Sequence, residues 1–296
     1  MIEAVVIAGR LVGPVQPCML VAEIGINHNG DVNLAKKLVS AAVLASCNAV
    51  KFQKRTIDVV YSAEELARPR ESPFGTTNGD LKRGLEFGIK EYRAIDQYCR
   101  EHQILWFASA WDEASVDFIE QFEPPCYKIA SASLTDDGLL RHHRLTGKPL
   151  ILSTGMSTIQ EIDHAVEVLG TDNLILMHTT STYPCALGEL NLRAIPMLLE
   201  RYQVPVGYSG HEVGLATTVA TVAMGACMIE RHITLDRAMW GSDQAASVEP
   251  HGFALLVRDV RNIELAMGDG VKKVYDSEQP IREKLRRVSY ASLQNV

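Results

Sequence analysis

The chain has 296 residues, of which 47% are hydrophobic and 22% are charged, so it can bury a large core. Its net charge of −7 argues against nucleic acid or an anionic membrane as a partner, because both require positive surface. No run approaches the ~20 apolar residues of a membrane span. The N-terminus has no basic region and carries Arg10 inside its apolar run, unlike a signal peptide. Six scattered cysteines without a C-x-x-C pair indicate buried thiols and a reducing cytoplasm.

Short apolar runs alternate with amphipathic segments along the chain. A hairpin through Val12 is predicted to close the bottom of the fold, and eight strands follow, at 19–23, 49–52, 105–109, 126–130, 150–153, 174–178, 205–208 and 227–231. Each strand precedes a predicted helix, at 32–45, 91–102, 113–121, 136–145, 158–168, 192–200, 215–224 and 253–267. Eight alternations favour a closed (β/α)8 TIM barrel over 1–270, with 271–296 as an extension or linker. A doubly wound open sheet is the alternative.

Helix starts are marked by Asp31, Asp112 and Thr135 as N-caps and by a capping box from Ser157 to Gln160. One connection is unusually long, residues 54–90, between the second strand and its helix. Connections of that length are typical of lids or binding loops, or else are disordered.

Barrel active sites lie at the carboxyl ends of the strands, so the polar residues there are the candidates. Lys51 and Lys128 lie in otherwise apolar strands, where lysine is costly to bury unless an anion meets it. Hydroxyl groups that can donate to phosphate or carboxylate oxygens follow four strands, at Ser109, Ser131, Ser153 and Ser209. The pattern indicates a small, anionic, phosphorylated ligand. The alternative is that each serine only caps a turn.

Two histidines end neighbouring strands, His211 after the seventh and His232 at the eighth. Imidazole is a common ligand of divalent metals, and two of them with water or substrate would suit Mn²⁺, Zn²⁺ or Fe²⁺. Such a metal polarises carbonyls or activates water. The alternative is a pair of hydrogen-bonded core histidines. Glu23 at the mouth of the first strand is a candidate general base, a candidate group for positioning water, or a structural partner of a lysine. His142 and His143 are predicted to lie on a helix surface.

Several motifs in this order resemble the sialic acid synthase family, which includes N-acetylneuraminate, legionaminate and pseudaminate synthases and spore-coat polysaccharide synthesis proteins. They span residues 15–290 and read EIGINHNG from Glu23, KFQ from Lys51, YKIAS from Tyr127, LSTGM from Leu152, SGH from Ser209 and ERH from Glu230. The resemblance implies a barrel that condenses phosphoenolpyruvate with the open-chain aldehyde of an N-acyl sugar. The products would be a 2-keto-3-deoxy (nonulosonic) acid and phosphate.

The resemblance also implies roles for individual residues. His211 and His232 would bind the metal, Mn²⁺ first and Mg²⁺ or Co²⁺ as alternatives. Phosphoenolpyruvate would contact Lys51, Ser109, Lys128, Ser131, Ser153 and Ser209. Catalysis would involve Glu23, Lys51 and Lys128, and the acceptor would meet Gln53, Tyr183 and Asp243. The family often forms homodimers, so a homodimer is expected.

Three departures from the family pattern concern the acceptor. Sialic-acid-making members carry Ser-Gly-Glu where this chain has Ser131-Ala132-Ser133. They also have an asparagine two residues before the strand-six tyrosine, where this chain has Ser181. The C-terminal antifreeze-like domain, which supplies an arginine to the acceptor, would begin where this chain stops. The condensation chemistry is therefore expected to be retained, with an aldehyde of the N-acylated hexosamine type or an atypical one. One rival is a related synthase using a phosphorylated aldose, with Arg68, Arg70 and Arg83 as its only obvious cations. Another is a non-catalytic barrel in polysaccharide assembly.

Overall fold

Eight parallel strands close a barrel in the computed structural model, which describes residues 2–288. An N-terminal hairpin, β1 (Val5–Ile7) and β2 (Arg10–Val12), precedes it. The barrel strands, in spatial order, are β3 (Met19–Gly25), β4 (Ala49–Lys54), β7 (Leu105–Ala110), β8 (Tyr127–Ile129), β9 (Leu150–Ser153), β10 (Leu174–Thr179), β11 (Val206–Gly210) and β12 (Met228–His232), and β12 pairs with β3. The predicted TIM barrel is confirmed, and the open sheet is excluded by this closure.

A helix follows each barrel strand and covers the outside of the barrel. These helices are α1 (Val32–Leu44), α5 (Ile89–Glu101), α6 (Glu113–Glu120), α7 (Asp137–Leu145), α8 (Ile159–Leu169), α9 (Ala194–Tyr202), α10 (Ala216–Ala223) and α11 (Pro250–Met267). All eight predicted helices are confirmed within a few residues at each end, because each has an apolar face that packs on the strands.

Two of the predicted helix starts were misplaced by one residue. Asp31 and Asp112 are N-caps as predicted, but α7 begins after Asp136, whose side chain accepts from Leu139 N, and not after Thr135. The capping box of α8 is formed by Thr158 and Glu161 instead of Ser157 and Gln160. A carboxylate at the third helical position accepts a hydrogen bond from the N-cap backbone N–H better than a glutamine side chain does, because both of its oxygens are acceptors.

Alternation along the strands divides the barrel into an interior and an outer shell. Residues at one parity, such as Met19, Val21, Phe107 and Met228, pack inside the barrel. Residues at the other parity, such as Leu20, pack under the helices. The hairpin contributes its apolar residues Val5, Ile7 and Val12 to the interior cluster, so it closes the bottom of the barrel as predicted. At the opposite end of the barrel, where the strands have their carboxyl ends, polar side chains occupy the interior.

The long connection after β4 is ordered and carries secondary structure of its own. It contains α2 (Ile57–Val60), α3 (Ala63–Ala67), the antiparallel pair β5 (Pro69–Ser72) and β6 (Gly75–Thr77), and α4 (Asn78–Leu85). Phe74 at the hairpin tip packs so closely on Gly84 that a Cβ there would lie 2.1 Å from its ring. The disordered alternative for this segment is therefore excluded.

His143 corrects a further expectation, because it is fully buried and not at the helix surface. Its ring meets Tyr127 edge-on, at 5.5 Å between centroids, and its Nδ1 lies 2.9 Å from the carbonyl oxygen of Leu139. One face of α7 packs on the barrel, and position 143 is on that face together with Leu139 and Leu140. Its neighbour His142 points outward and pairs with Asp117.

Residues up to 264 form one compact unit and those from 265 a second. Within the second, α12 (Gln279–Leu285) is a short helix with exposed side chains. The boundary predicted at residue 270 stays a prediction, and the last part of the predicted 271–296 extension lies outside the described residues. Between residues 2 and 288, no helix combines the length and apolarity that crossing a bilayer requires.

Candidate active site

A single cavity at the carboxyl end of the barrel brings together nearly all the residues predicted from the sequence. Its lining includes Glu23, Lys51, Gln53, Ser109, Lys128, Ser131, Ser153, Tyr183, Ser209, His211 and His232. Asp243 is the exception: it lies just behind the lining, with its Oδ2 3.9 Å from His232 Nδ1. The cavity forms because inward-facing positions of all eight strands become polar at this level.

Two lysines and two glutamates form the floor of the cavity, all of them buried. Lys51 Nζ lies 2.9 Å from Glu23 Oε2 and 3.5 Å from Glu230 Oε1, and it donates to Ser109 Oγ at 2.9 Å. Lys128 Nζ donates to both carboxylate oxygens of Glu230, at 3.1 and 2.9 Å. Buried charges persist only when they are paired in this way.

The two glutamates of this floor differ in their pKa. Burial raises the pKa of Glu23 to about 7, partly opposed by the charge of Lys51. Burial acts on Glu230 in the same direction, but Lys128 and Lys51 outweigh it and lower the pKa of Glu230 to about 2. Glu230 is therefore the fixed anion of the floor, while Glu23 is the carboxylate that can exchange a proton near neutral pH.

The four predicted serines play different parts. Ser109 and Ser209 lie on the floor, where Ser109 accepts from Lys51 and Ser209 donates to Glu230 at 3.3 Å. Ser131 Oγ instead accepts from the backbone N–H of Gly155 at 3.0 Å, so the turn-stabilising interpretation applies to it as well. Ser153 lines the cavity at the end of β9. Together with the lysines, these hydroxyls offer donors to an anion on the floor.

His211 and His232 face each other at one side of the cavity, with ring centroids 5.6 Å apart. His211 Nδ1 lies 2.8 Å from the carbonyl oxygen of Thr180, which makes Nδ1 the protonated nitrogen and leaves the Nε2 lone pair available. His232 Nδ1 is buried with no hydrogen-bond partner among the described residues. Burial lowers the pKa of both imidazoles, that of His211 to about 4, so both rings are neutral.

These features fit a divalent metal with open coordination positions. Neutral imidazoles with an available lone pair are ligands for borderline metals, and an orphaned buried nitrogen indicates a missing partner. Across residues 2–288, no group of three or more histidine, cysteine, aspartate or glutamate side chains has metal-binding geometry. The two histidines would therefore share the metal with water or substrate oxygens.

The predicted acceptor residues lie above the floor. Gln53 Nε2 donates to Glu23 Oε1 at 2.7 Å, so the two side chains are fixed relative to each other. The ring of Tyr183 stands against His211, at 4.0 Å between centroids, and is half exposed at the mouth. Ala132 and Ser181 line the cavity, so this wall is small and uncharged, while Ser133, which stands at the position of the family's glutamate, is buried and is not part of the lining.

Glu230, Trp111 and Arg55 had no role predicted from the sequence. Strand alternation could have found Glu230, since it lies two residues before His232 and so shares its inward face. Trp111 follows β7 and lines the cavity, and Arg55 follows β4 with its guanidinium carbon 4.3 Å from the centre of the Trp111 ring. Of the cations suggested for a phosphorylated aldose, Arg68 pairs with Glu65 and Arg83 with Asp58.

Arg231, at the centre of the ERH motif, points away from the cavity. Its Nη1 lies 3.2 Å from Glu212 Oε1 and donates to the carbonyl of Gly214 at 3.0 Å. Glu212 also accepts from Tyr208 and Thr218, so this buried pair fixes the segment after β11 that carries His211. Arg231 is therefore structural: it holds one predicted metal ligand in place from behind.

Comparison with known proteins gives consistent matches to this arrangement. A family model described as "NeuB family" matches residues 38–272. The chain is 37% identical over 282 residues to the human N-acetylneuraminate-9-phosphate synthase, which covers 94% of this chain and 79% of that protein. It is 36% identical over 285 residues to N,N'-diacetyllegionaminic acid synthase of Legionella pneumophila, covering 93% of this chain and 80% of that one.

A solved structure shows the same fold. The chain superposes on the N-acetylneuraminic acid synthetase of Leptospira borgpetersenii, crystallised with citrate, with a TM-score of 0.85 at 31% identity. The match covers 97% of this chain and 99% of that one.

Proposed function

Because the chain belongs to the NeuB family, we propose that it is a synthase that condenses phosphoenolpyruvate with the open-chain aldehyde of a sugar. The products are a 2-keto-3-deoxy acid and inorganic phosphate. The observation that carries this proposal is the placement of Lys51 and Lys128, two buried ammonium groups that face one cavity floor. Both ammonium groups pair with Glu230 and Lys51 also pairs with Glu23, so the substrate anion would add a partner to lysines that are already paired.

Phosphoenolpyruvate binds at this floor in our proposal. Lys51 and Lys128 meet its carboxylate and phosphate, and the hydroxyls of Ser109, Ser153 and Ser209 donate to the remaining oxygens. Such charge-assisted hydrogen bonds are short and strong, and they fix the enol carbon atoms relative to the histidines. Ser131 accepts from the Gly155 N–H, so its own hydroxyl hydrogen remains to donate to a phosphoenolpyruvate oxygen.

The chemistry then follows from the position of Glu23. C3 of the enol attacks the aldehyde carbon, the aldehyde oxygen gains a proton, and positive charge develops at C2. The carboxylate of Glu23 stabilises that charge, and it accepts a proton from the water that adds at C2. The tetrahedral centre collapses to the ketone, and phosphate leaves with the bridging oxygen. Lys51 and Lys128 stay paired with the departing dianion.

His211 and His232 would hold the divalent cation, for which we propose Mn²⁺, with Mg²⁺ or Co²⁺ as alternatives. When bound, such an ion supplies Lewis acidity at the aldehyde oxygen. Tyr183 packs on His211 and orients its ring, and the carboxylate of Asp243 lies 3.9 Å behind His232. The metal is supported by the unpartnered His232 nitrogen and by the neutrality of both rings.

The acceptor in this proposal is an N-acyl hexosamine type of sugar, placed between the floor and Tyr183. Gln53 would bind one of its hydroxyl groups while holding Glu23. The wall formed by Ala132 and Ser181 offers neither a carboxylate nor a carboxamide to the sugar. We infer that acceptor recognition depends on the other side of the mouth.

The proposal also covers the cellular compartment and the oligomeric state of the protein. We place the protein in the cytoplasm, because none of its six thiols forms a disulfide. The expectation of a homodimer rests on the family likeness, and sedimentation velocity at several concentrations would test it.

The direct experiment is a phosphate-release assay with phosphoenolpyruvate, Mn²⁺ and a panel of aldoses: N-acyl hexosamines, diacetamido-trideoxyhexoses and phosphorylated aldoses. We expect release only when both substrates are present, with one keto acid formed per phosphate. The Lys51→Met variant should lose this activity. Lys148→Met is the matched control and should retain it, because Lys148 lies two residues before β9, pairs with Glu120 and is not part of the cavity lining. Absence of release with every acceptor would overturn the proposal.

A further inference from the structure

A buried asparagine connects the loop after β3 (residues 26–31) to the loop after β12 (residues 233–249). Asn27 is 2% exposed, and its Nδ2 donates to the carbonyl oxygen of Ile233 and to Ser247 Oγ, both at 2.8 Å. The nitrogen of a side-chain amide can only donate, so both bonds have a defined direction. Asn27 is not part of the cavity lining. Its side chain therefore serves the loop after β12 and does not contact a substrate.

Ser247 extends this connection to Asp243. Its hydroxyl accepts from Asn27 and donates to the carbonyl oxygen of Asp243 at 2.7 Å. The backbone N–H of Ala246 donates to the same carbonyl oxygen at 3.2 Å, in the short helical turn that follows Asp243. Asn27, Ser247 and the Asp243 main chain thus form a continuous series of hydrogen bonds. The bonds in such a series strengthen one another, because each one polarises the next.

Gln244, the residue after Asp243, provides a second anchor to the same asparagine. Its side chain is 1% exposed, and its Nε2 donates to the main-chain carbonyl oxygen of Asn27 at 3.2 Å. The neighbouring residues Ser242 and Ala245 are exposed, so they provide little packing of their own. The position of Asp243 therefore depends on the buried anchors that connect it to the loop after β3.

These anchors place the carboxylate of Asp243 beside the histidine pair. Its Oδ2 lies 3.9 Å from His232 Nδ1, and its Oδ1 accepts from Ser242 Oγ at 2.7 Å. Among residues 2–288, no lysine or arginine lies within salt-bridge distance of Asp243, so its charge is not neutralised by a cation. That charge opposes the burial that lowers the pKa of His232 and adds to the burial that raises the pKa of Tyr183. The carboxylate therefore acts electrostatically on this side of the cavity.

We propose that Asn27 is a positioning residue that holds the Asp243 carboxylate beside His232 through Ser247. This inference rests on the proposed function, in which His232 binds the divalent cation. A carboxylate next to a histidine ligand favours cation binding through its negative charge, and this effect weakens as the carboxylate moves away. Removal of the Asn27 side chain leaves Asp243 in the chain but breaks the series of hydrogen bonds that fixes its place.

Titration with Mn²⁺ followed by electron paramagnetic resonance tests this inference without turnover. We expect Asp243→Asn to weaken Mn²⁺ binding about tenfold or more, and Asn27→Ala and Ser247→Ala to weaken it by a comparable factor. Because Asn27 acts through Asp243, the double variant Asn27→Ala/Asp243→Asn should bind Mn²⁺ no more weakly than Asp243→Asn alone. Ser247→Ala leaves Asn27 bonded to Ile233, so it tests the same series of hydrogen bonds if Asn27→Ala fails to fold.

Asn48→Ala is the matched control, because Asn48 Oδ1 accepts from the backbone N–H of Leu20 at 2.8 Å near the amino end of β4. This variant should lose stability but keep the Mn²⁺ affinity of wild type. Additive losses in the double variant, or unchanged Mn²⁺ binding in Ser247→Ala or Asp243→Asn, would overturn the inference. A wild type that binds Mn²⁺ but releases no phosphate overturns only the proposed reaction, whereas a wild type that binds no Mn²⁺ overturns the metal site and this inference together.

Discussion

Lys128 and Glu230 meet across the full width of the barrel, with Lys128 Nζ donating to both carboxylate oxygens at 2.9 and 3.1 Å. They belong to β8 and β12, which are four strands apart in a ring of eight and therefore opposite each other. The pair spans the cavity floor, and the same carboxylate lies 3.5 Å from Lys51. A substrate anion on this floor must engage lysines that already have partners.

Removing one partner of this pair leaves an uncompensated buried charge. We predict that Lys128→Met lowers the free energy of unfolding by about 3 kcal/mol or more and abolishes turnover. The double variant Lys128→Met/Glu230→Met should recover much of that stability but no activity, because the anion site is gone. Guanidinium denaturation and the phosphate assay measure the two effects. A single variant with normal KM for phosphoenolpyruvate would contradict the assignment.

The pair of Arg231 and Glu212 should behave differently, since it lies outside the cavity. Arg231→Met leaves Glu212 buried beside Tyr208 and Thr218 without its cation, so we expect a loss of about 3 kcal/mol in unfolding free energy. KM for phosphoenolpyruvate in the protein that remains folded should stay within about threefold of wild type. A selective rise in that KM, with stability unchanged, would assign Arg231 to substrate binding instead.

The buried His143 predicts how stability depends on pH. Burial, reinforced by His142, lowers its pKa to about 4, despite opposing contributions from the Leu139 carbonyl and Asp136. Between about pH 4 and the unfolded value near 6.5, the unfolded chain binds a proton that the folded chain does not. Stability should therefore fall as pH drops through this window, with no further loss from this group below it.

Measuring the free energy of unfolding by denaturation at pH 7.5 and at pH 5 tests the predicted loss of stability. His143→Gln should show a smaller difference between the two pH values than wild type, by about 2 kcal/mol. His102→Gln, changed at an exposed position, serves as the control and should follow wild type. An identical pH dependence in His143→Gln and wild type would refute the role of His143.

The metal assignment predicts an effect on binding as well as on turnover. Mn²⁺ titration followed by electron paramagnetic resonance should show one site in wild type that is lost in His211→Ala. Chelation should stop phosphate release, and Mn²⁺ should restore it in wild type but not in the variant. His178→Ala is the comparison, because His178 binds the Leu190 carbonyl at 2.7 Å on the outer face of β10. Full Mn²⁺ binding by His211→Ala would contradict the assignment.

Much of the fold could be predicted because apolar periodicity is a local property. Strand β9 was predicted at its observed limits, and the other strands within two residues, since each is a buried run between polar turns. The N-terminal hairpin through Val12 was also predicted, and the structure shows Val5, Ile7 and Val12 packed into the interior cluster. Cap positions were less certain, as at Asp136, because neighbouring polar residues compete for the same role.

The candidate site was less predictable where function depends on distant partners. Glu230 pairs with both lysines because the closed barrel places β12 opposite β8, and the sequence does not show that arrangement. Arg55 could not be distinguished from the other charged residues of the long connection. Its stacking on Trp111 joins segments more than fifty positions apart, which a local sequence pattern does not show. His143 was misjudged because its polar side chain outweighed its position, which is one helical turn after the buried Leu139.

The most direct test of the central claim uses phosphoenolpyruvate labelled with ¹⁸O at the oxygen that bridges C2 and phosphorus. Water added at C2 beside Glu23 requires that bond to break between carbon and oxygen, so we predict that the label appears in inorganic phosphate. Mass spectrometry of the phosphate and of the keto acid measures its fate. Label retained in the keto acid, or phosphate released without any aldehyde, would contradict the proposed condensation.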